Sequence, residues 1–280
     1  MLKQNATIGI IALGGTCEKE LVQKAVTNIK QLGYDIKLSK NIYDKNAYLA
    51  GDDNDKIQEL HNFFNDPEID LILNARGGYG SIRLINKIDY DIIKANPKPF
   101  CGFSDITALL LMFYKKCGLV TYHAPMACSN FSEINDFTIN HFVKTINNNS
   151  ISTTGTKIHK EGCAKGILWG GNLSTVVSLC GQDFIPNEDF VFFTEDLNEP
   201  VYKIDKMFTQ LFNIEKFCQN CKGIVLGDFL NTDNEGWLEQ LFCSFSIPTV
   251  SGFKITHNKE MLTLPIGKIA ILEKDTLTTL

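Results

Sequence analysis

The sequence predicts an α/β protein. An N-terminal three-layer α/β/α domain on a mainly parallel sheet is followed by a smaller C-terminal α/β domain rich in short strands. Three observations predict this. In the first half, apolar runs alternate with stretches of helical spacing, the pattern of a parallel sheet covered on both faces. One polar, aperiodic stretch, residues 147–156, interrupts the chain. Beyond it, brief apolar runs outnumber helical ones. The predicted organisation is a domain over 1–146, a linker over 147–162 and a domain over 163–280.

Residues 7–13 are a strand, and 18–32 a helix with Leu21, Ala25, Ile29 and Leu32 on one face. A short strand over 35–38 and a helix over 53–64 follow. Residues 69–75 form a buried strand, and Phe100 lies in the next one. Residues 106–114 are an apolar helix, and 119–122 a strand. In the second half, strands are predicted at 164–169, 190–194, 223–226, 248–252 and 269–273, with a helix over 201–212.

Two turns fall at strand carboxyl ends, where ligands bind on such sheets. Arg76-Gly77-Gly78-Tyr79-Gly80-Ser81 lets backbone approach a ligand and offers N–H donors. It is not a dinucleotide fingerprint, since the spacing and the later acid are missing. Gly14-Gly15-Thr16 after the first strand reads as a plain tight turn. The second ligand-facing turn is Gly102-Phe103-Ser104-Asp105, a strand-turn-helix with Ser at its tip. That is the layout of a nucleophile elbow, with Ile106 where the second Gly of G-x-S-x-G would stand. The rival reading of Ser104 is a simple helix cap.

A nucleophilic Ser needs a base and an orienting group. Of five histidines, His61 and His141 fall on polar helix faces and read as solvated, and His159 falls in the linker. His123, after the strand at 119–122, and His257, in the loop after 248–252, remain as candidate bases. Glu195, Asp196 and Glu199 are candidate orienters; Glu195 closes an apolar strand, where a desolvated carboxylate gains from an imidazolium.

The chain has 280 residues, is 44% hydrophobic and 21% charged, and carries a net charge of −5. No basic block points to nucleic acid, and no apolar run reaches membrane-spanning length. A cytoplasmic protein is expected. Nine cysteines, an odd and scattered set, read as reduced; Cys101, Cys117, Cys163, Cys180 and Cys243 lie in apolar runs. Cys218-Gln219-Asn220-Cys221 lacks the second ligand pair of a zinc site. No metal and no cofactor are expected.

Several segments, in order and over nearly the whole chain, resemble the serine L,D-carboxypeptidases. These are the glycine turn 76–81, the elbow 102–108, Trp169-Gly170-Gly171-Asn172-Leu173, the acidic region around Glu195-Asp196, Glu199-Pro200 and Ile204-Asp205-Lys206-Met207, and His257 with Thr263-Leu264-Pro265-Ile266-Gly267. The chain departs from the family pattern at Leu13-Gly14-Gly15, where Pro-Ser is frequent, at Thr256, where Gly is usual, and at Lys206, where Arg is common. The resemblance implies Ser104 as nucleophile, His257 as general base and Glu195 as orienter. It leaves His123 to support the elbow or line the cleft. The oxyanion hole is assigned to the N–H groups of Gly78 and Asp105, and substrate binding to Arg76 and Tyr79, with Arg76 on a terminal carboxylate. The implied activity is release of the C-terminal D-Ala from murein tetrapeptides during cell-wall recycling, by a homodimer. Two alternatives share these residues: a self-immunity hydrolase of peptide-nucleotide antibiotics, and a two-domain protein that binds a small ligand without chemistry.

Overall fold

A computed structural model describes Lys3 and residues 5–280, and the predicted alternation appears in it as two sheets. The first half contributes β1 (Thr7–Ile11), α1 (Lys19–Gln31), β2 (Asp35–Leu38), α2 (Asp53–Asn65), β3 (Leu71–Asn74), α3 (Tyr90–Ala95), β4 (Phe100–Gly102), α4 (Thr107–Cys117), β5 (Thr121–His123) and α5 (Asp136–Asn148). Strands β2, β1, β3, β4 and β5 lie side by side in that order, all parallel. Outside the edge strand β2, whose residues are partly exposed, these strands are almost wholly buried, as expected of strands covered on both faces. Helix α1 buries Val22, Ala25 and Ile29. Helix α4 has no polar face in its first two turns: all residues from Thr107 to Phe113 are buried.

The second sheet has eight strands in the order β6-β14-β13-β8-β9-β10-β11-β7. Its parallel centre is β8 (Cys163–Asn172), β9 (Phe190–Leu197), β10 (Cys221–Leu230) and β11 (Thr249–Ser251). Antiparallel strands flank it: β6 (Ser152–Thr154), β7 (Lys157–Lys160), β13 (Ile269–Glu273) and β14 (Thr276–Thr279). Helices α6 (Leu173–Ser178), α7 (Val201–Phe212), α8 (Glu215–Asn220) and α9 (Glu235–Ser244) complete this half. Trp169, Phe190, Phe192 and Phe217 form one aromatic cluster in its core.

The fold differs from the sequence reading at several points. The stretch read as a linker supplies β6 and β7, two edges of the second sheet; their partly exposed, polar residues hide the alternation that marks a strand. One late strand, β12 (Leu264–Ile266), crosses back and pairs antiparallel with β5 at the edge of the first sheet, so the two halves interlock. Cys163 and Cys243 are exposed, because neighbouring Ala164 and Phe242 turn inward in their place. No helix among the described residues is long and apolar enough to cross a membrane.

Candidate active site

Ser104 stands between β4 and α4 with φ of +59°, a left-handed backbone that a non-glycine residue adopts only when its surroundings hold it there. The surroundings do so from below and from the side. Asp105, buried, accepts the Ser81 N–H at 2.9 Å, which ties the elbow to the end of the glycine turn. Burial raises the pKa of this carboxyl, and hydrogen bonds from Ser81 and Gly80 oppose the rise. Ile106 explains the departure from the elbow pattern. A Cβ on Gly102 would lie 2.8 Å from Ile106 Cγ2, so the first glycine makes room for the side chain that replaces the second.

The glycine turn closes over this serine. A Cβ on Gly77 would fall 2.9 Å from Ser104 Cβ, 3.1 Å from its hydroxyl and 3.4 Å from the Asp105 nitrogen. Gly78 follows with φ of +87°. The N–H groups of Gly78 and Asp105 have no partner among the described residues. Gly14-Gly15 is more than a tight turn: Gly15 N–H donates to the Gly77 carbonyl at 2.7 Å and braces the loop from behind. The sequence reading includes Gly77 in this turn but gives it no role of its own, although three glycines in four positions are what such close packing needs.

Glu195 and His257 come from the other half. Glu195 sits near the carboxyl end of β9 and is fully buried. Its Oε2 lies 2.7 Å from His257 Nδ1, leaving Nε2 as the free nitrogen of the ring. Burial pulls the His257 pKa down, but the hydrogen bond to Glu195 and the charges of Glu195 and Asp196 outweigh it, and the pKa rises above the ordinary 6.5. The imidazole packs edge-on against Phe103, at 4.9 Å between ring centroids, and so stands beside the residue that precedes Ser104. Of the two histidines left open by the residues alone, His257 is thus the one paired to a carboxylate.

His123 lies beneath. It is fully buried, pairs in register with Gly102, and packs against Phe103 and Phe193. Burial, with the charge of His257 adding, lowers its pKa to about 3. It supports the elbow and does not line the cleft. His61 and His141 are half-buried, not fully solvated as expected, and each accepts a backbone hydrogen bond: His61 from Asp89 N–H at 3.0 Å and His141 from Thr263 N–H at 3.1 Å. The second of these holds the segment that follows His257. His159 belongs to β7.

Asp196 and Glu199 do other work. Asp196 is buried and accepts from Asn172 Nδ2 and Ser174 N–H; burial raises its pKa to about 6, with the Glu195 charge adding and the hydrogen bonds opposing. Asn172 in turn donates its N–H to Thr107 Oγ1 at 3.2 Å, a bond between the two halves next to the elbow. Glu199 pairs with Lys203.

Arg76 donates to the Thr16 carbonyl at 2.9 Å and has no ion pair among the described residues. It lines a cavity of about 530 Å³ with Glu18, Glu20, Leu21, Cys128 and Ser129. Tyr79 is exposed and packs against Tyr48, 5.8 Å between centroids. Tyr48, from an irregular loop, carried no signal in the sequence.

Comparison with known proteins identifies the family and the fold. The LD-carboxypeptidase N-terminal domain matches residues 8–124, and the LD-carboxypeptidase C-terminal domain matches residues 165–272. A probable murein peptide carboxypeptidase of Bacillus subtilis is 32% identical, over 97% of this chain and 90% of that protein. Among solved structures, an MccF-like protein from Bacillus anthracis superposes with a TM-score of 0.91 at 27% identity, covering 100% of this chain and 98% of that one. A muramoyltetrapeptide carboxypeptidase from Oxalobacter formigenes superposes with a TM-score of 0.89 at 27% identity, covering 98% and 97%.

Proposed function

The chain belongs to the LD-carboxypeptidase family, and on that premise we propose that it is a serine-type L,D-carboxypeptidase that releases the C-terminal D-Ala of murein tetrapeptides. In this reading Ser104 Oγ attacks the carbonyl of the bond between an L-configured centre and the terminal D-residue. His257 takes the hydroxyl proton through Nε2 and returns it to the leaving amine. Glu195 holds the imidazole in the tautomer with hydrogen on Nδ1 and stabilises the imidazolium. The N–H groups of Gly78 and Asp105 receive the charge that develops on the carbonyl oxygen. An acyl-serine forms, and water releases it with His257 again acting as base. Arg76 and Tyr79 are the proposed substrate contacts. A cytoplasmic location, a role in cell-wall recycling and a homodimeric state belong to the same reading.

One observation carries it: a buried Glu195 paired with the half-buried His257 at 2.7 Å, with the imidazole against Phe103 and a left-handed Ser104 next in the chain. The test is D-Ala release from L-Ala-γ-D-Glu-meso-diaminopimelate-D-Ala by the unmodified protein and by Ser104→Ala. Release that disappears in the variant supports the reading, and release that survives overturns Ser104 as nucleophile.

The likeness to the MccF-like protein favours a second reading, hydrolysis of a peptide-nucleotide antibiotic. It predicts turnover of an aminoacyl sulfamoyl nucleotide where the tetrapeptide is inert. A folded protein that binds either compound and turns over neither would be the non-catalytic clamp.

A further inference from the structure

Away from Ser104 and His257, three side chains of different chemistry converge at the edge of the second sheet. His159 comes from β7, and Glu239 and Cys243 sit one turn apart on α9. His159 Nδ1 lies 3.2 Å from Glu239 Oε1 and 3.7 Å from Cys243 Sγ, and Cys243 Sγ lies 3.6 Å from the same carboxylate oxygen. Zinc held tetrahedrally, with Zn–N and Zn–O near 2.0 Å and Zn–S near 2.3 Å, needs ligand atoms roughly 3.3–3.6 Å apart. The three separations, 3.2, 3.7 and 3.6 Å, bracket that range and lie close to such a triangle. We propose that His159, Glu239 and Cys243 form a binding site for a thiophilic divalent cation of the zinc type, with water or a further ligand in the fourth position.

The surroundings favour a ligand site over a chance cluster. The His159 side chain is fully buried, with its ring against Phe242. Its other nitrogen, Nε2, is 2.7 Å from Ser251 Oγ. A hydrogen on Nε2 donated to that hydroxyl leaves the Nδ1 lone pair directed at Glu239 and Cys243, which is how a metal-bound imidazole is usually oriented from behind. Cys243 is exposed, which leaves the fourth position open to solvent. Lys157 competes for the site, with Nζ 2.6 Å from Glu239 Oε1. A carboxylate has lone pairs for both, so the lysine can remain on the outer side while the metal takes the inner one. A mixed N, O, S set suits zinc better than the hard cations magnesium or calcium. Binding forms Zn–N, Zn–O and Zn–S bonds, and the Cys243 thiol loses its proton to solvent. No oxidation is involved.

The site would staple α9 to β7 and, through Ser251, to the end of β11, the strand that leads into the His257 loop. Sequence spacing could not reveal it, because one ligand lies in an edge strand and the others some 80 residues later (84 between His159 and Cys243).

Cobalt(II), which reports tetrahedral thiolate coordination by its absorption, is the probe. The full-length, chelator-treated protein is expected to bind one equivalent, with a thiolate-to-cobalt charge-transfer band that zinc displaces. Zinc should also raise the melting temperature. Cys243→Ser, at an exposed position, should fold normally, lose the band and lose the zinc-dependent shift. Ser251→Ala should weaken binding about 10–100-fold while keeping the band. The proposal is overturned if millimolar cobalt gives no thiolate band, or if Cys243→Ser retains it, which would assign the metal to another of the cysteines.

Discussion

The buried carboxylate of Glu195 and the imidazole of His257 meet at 2.7 Å through Nδ1, and this contact sets the charge state of the ring. Burial disfavours the imidazolium, but Glu195 and Asp196 more than restore it, so the His257 pKa is raised above 6.5. A base must be neutral to act, so activity should climb as pH rises through that raised value. In Glu195→Gln the carboxylate charge is gone and the acid limb should move to lower pH. The plateau should fall about 10³–10⁴-fold, because the amide no longer enforces the tautomer. Rate profiles of D-Ala release for the two proteins would check both; an unmoved limb would separate Glu195 from the base.

The same pair makes a pH-dependent contribution to stability. A raised pKa in the folded state means the folded chain holds the proton longer than the unfolded one. The stabilisation is therefore fully present below about 6.5 and lost as pH rises through the folded value. Melting temperatures across that window should fall with rising pH in the unmodified protein more steeply than in Glu195→Gln.

His123 should prove to be a support and not a base. It is fully buried, its pKa is lowered to about 3, and neither ring nitrogen has a hydrogen-bond partner among the described residues. His123→Phe keeps a ring between Phe103 and Phe193. Its effect on the rate should stay below the roughly 10²-fold that losing a general base costs, with the acid limb unmoved. Stability should be held or raised, since an unpaired buried polar group is replaced by an apolar one. His257→Ala should instead abolish turnover.

Much of this was legible in the chain. The alternation of the first half, the strand-turn-helix at Ser104 and the acid near the end of β9 all follow local rules of period and turn chemistry. The residues alone left His123 and His257 level, because what separates them is tertiary. His123 falls within the first sheet, whereas the His257 loop is carried against Glu195 by β11 and held from behind by His141. The edge strands β6 and β7 were missed for a related reason. With few buried neighbours they need no apolar alternation, so their pairing partners, β14 and β11, define them more than their own residues do.

Gly77 is a position where one methyl group should report on the nucleophile. Its φ is not left-handed, so alanine meets no backbone strain there, unlike Gly78 at +87°. The added Cβ would sit 2.9 Å from Ser104 Cβ and 3.1 Å from Oγ. Ser104 must shift by a few tenths of an ångström or more. Displacements approaching 1 Å cost about 10²-fold in rate. Gly77→Ala should therefore lose kcat at a stability cost no larger than the ~1–3 kcal/mol of overpacking, and combining it with Ser104→Ala should cost almost no further activity. A variant with unchanged kcat would show that the turn yields instead of the serine.

Gly171 tests the joint between the halves. Its φ of +151° strains any other residue, and a Cβ there would lie 2.5 Å from Thr107 Cγ2 and 2.6 Å from Oγ1. Thr107 opens α4 directly after the elbow and accepts the Asn172 N–H, while Asn172 also holds Asp196, the neighbour of Glu195. Pushing Thr107 away should move Ser104 relative to the Glu195–His257 pair and lower stability by about 1–3 kcal/mol, as overpacking does. Adding Thr107→Ala removes the methyl and hydroxyl that clash. It should recover part of the stability lost in Gly171→Ala, but not all, because the backbone strain at residue 171 remains. Activity should recover less than stability, since the Asn172–Thr107 hydrogen bond is lost as well. Urea denaturation and D-Ala release on the two single variants and the double variant would measure both. Simple additivity of the two changes would show that Gly171 and Thr107 do not couple, and that the elbow is positioned by the first half alone.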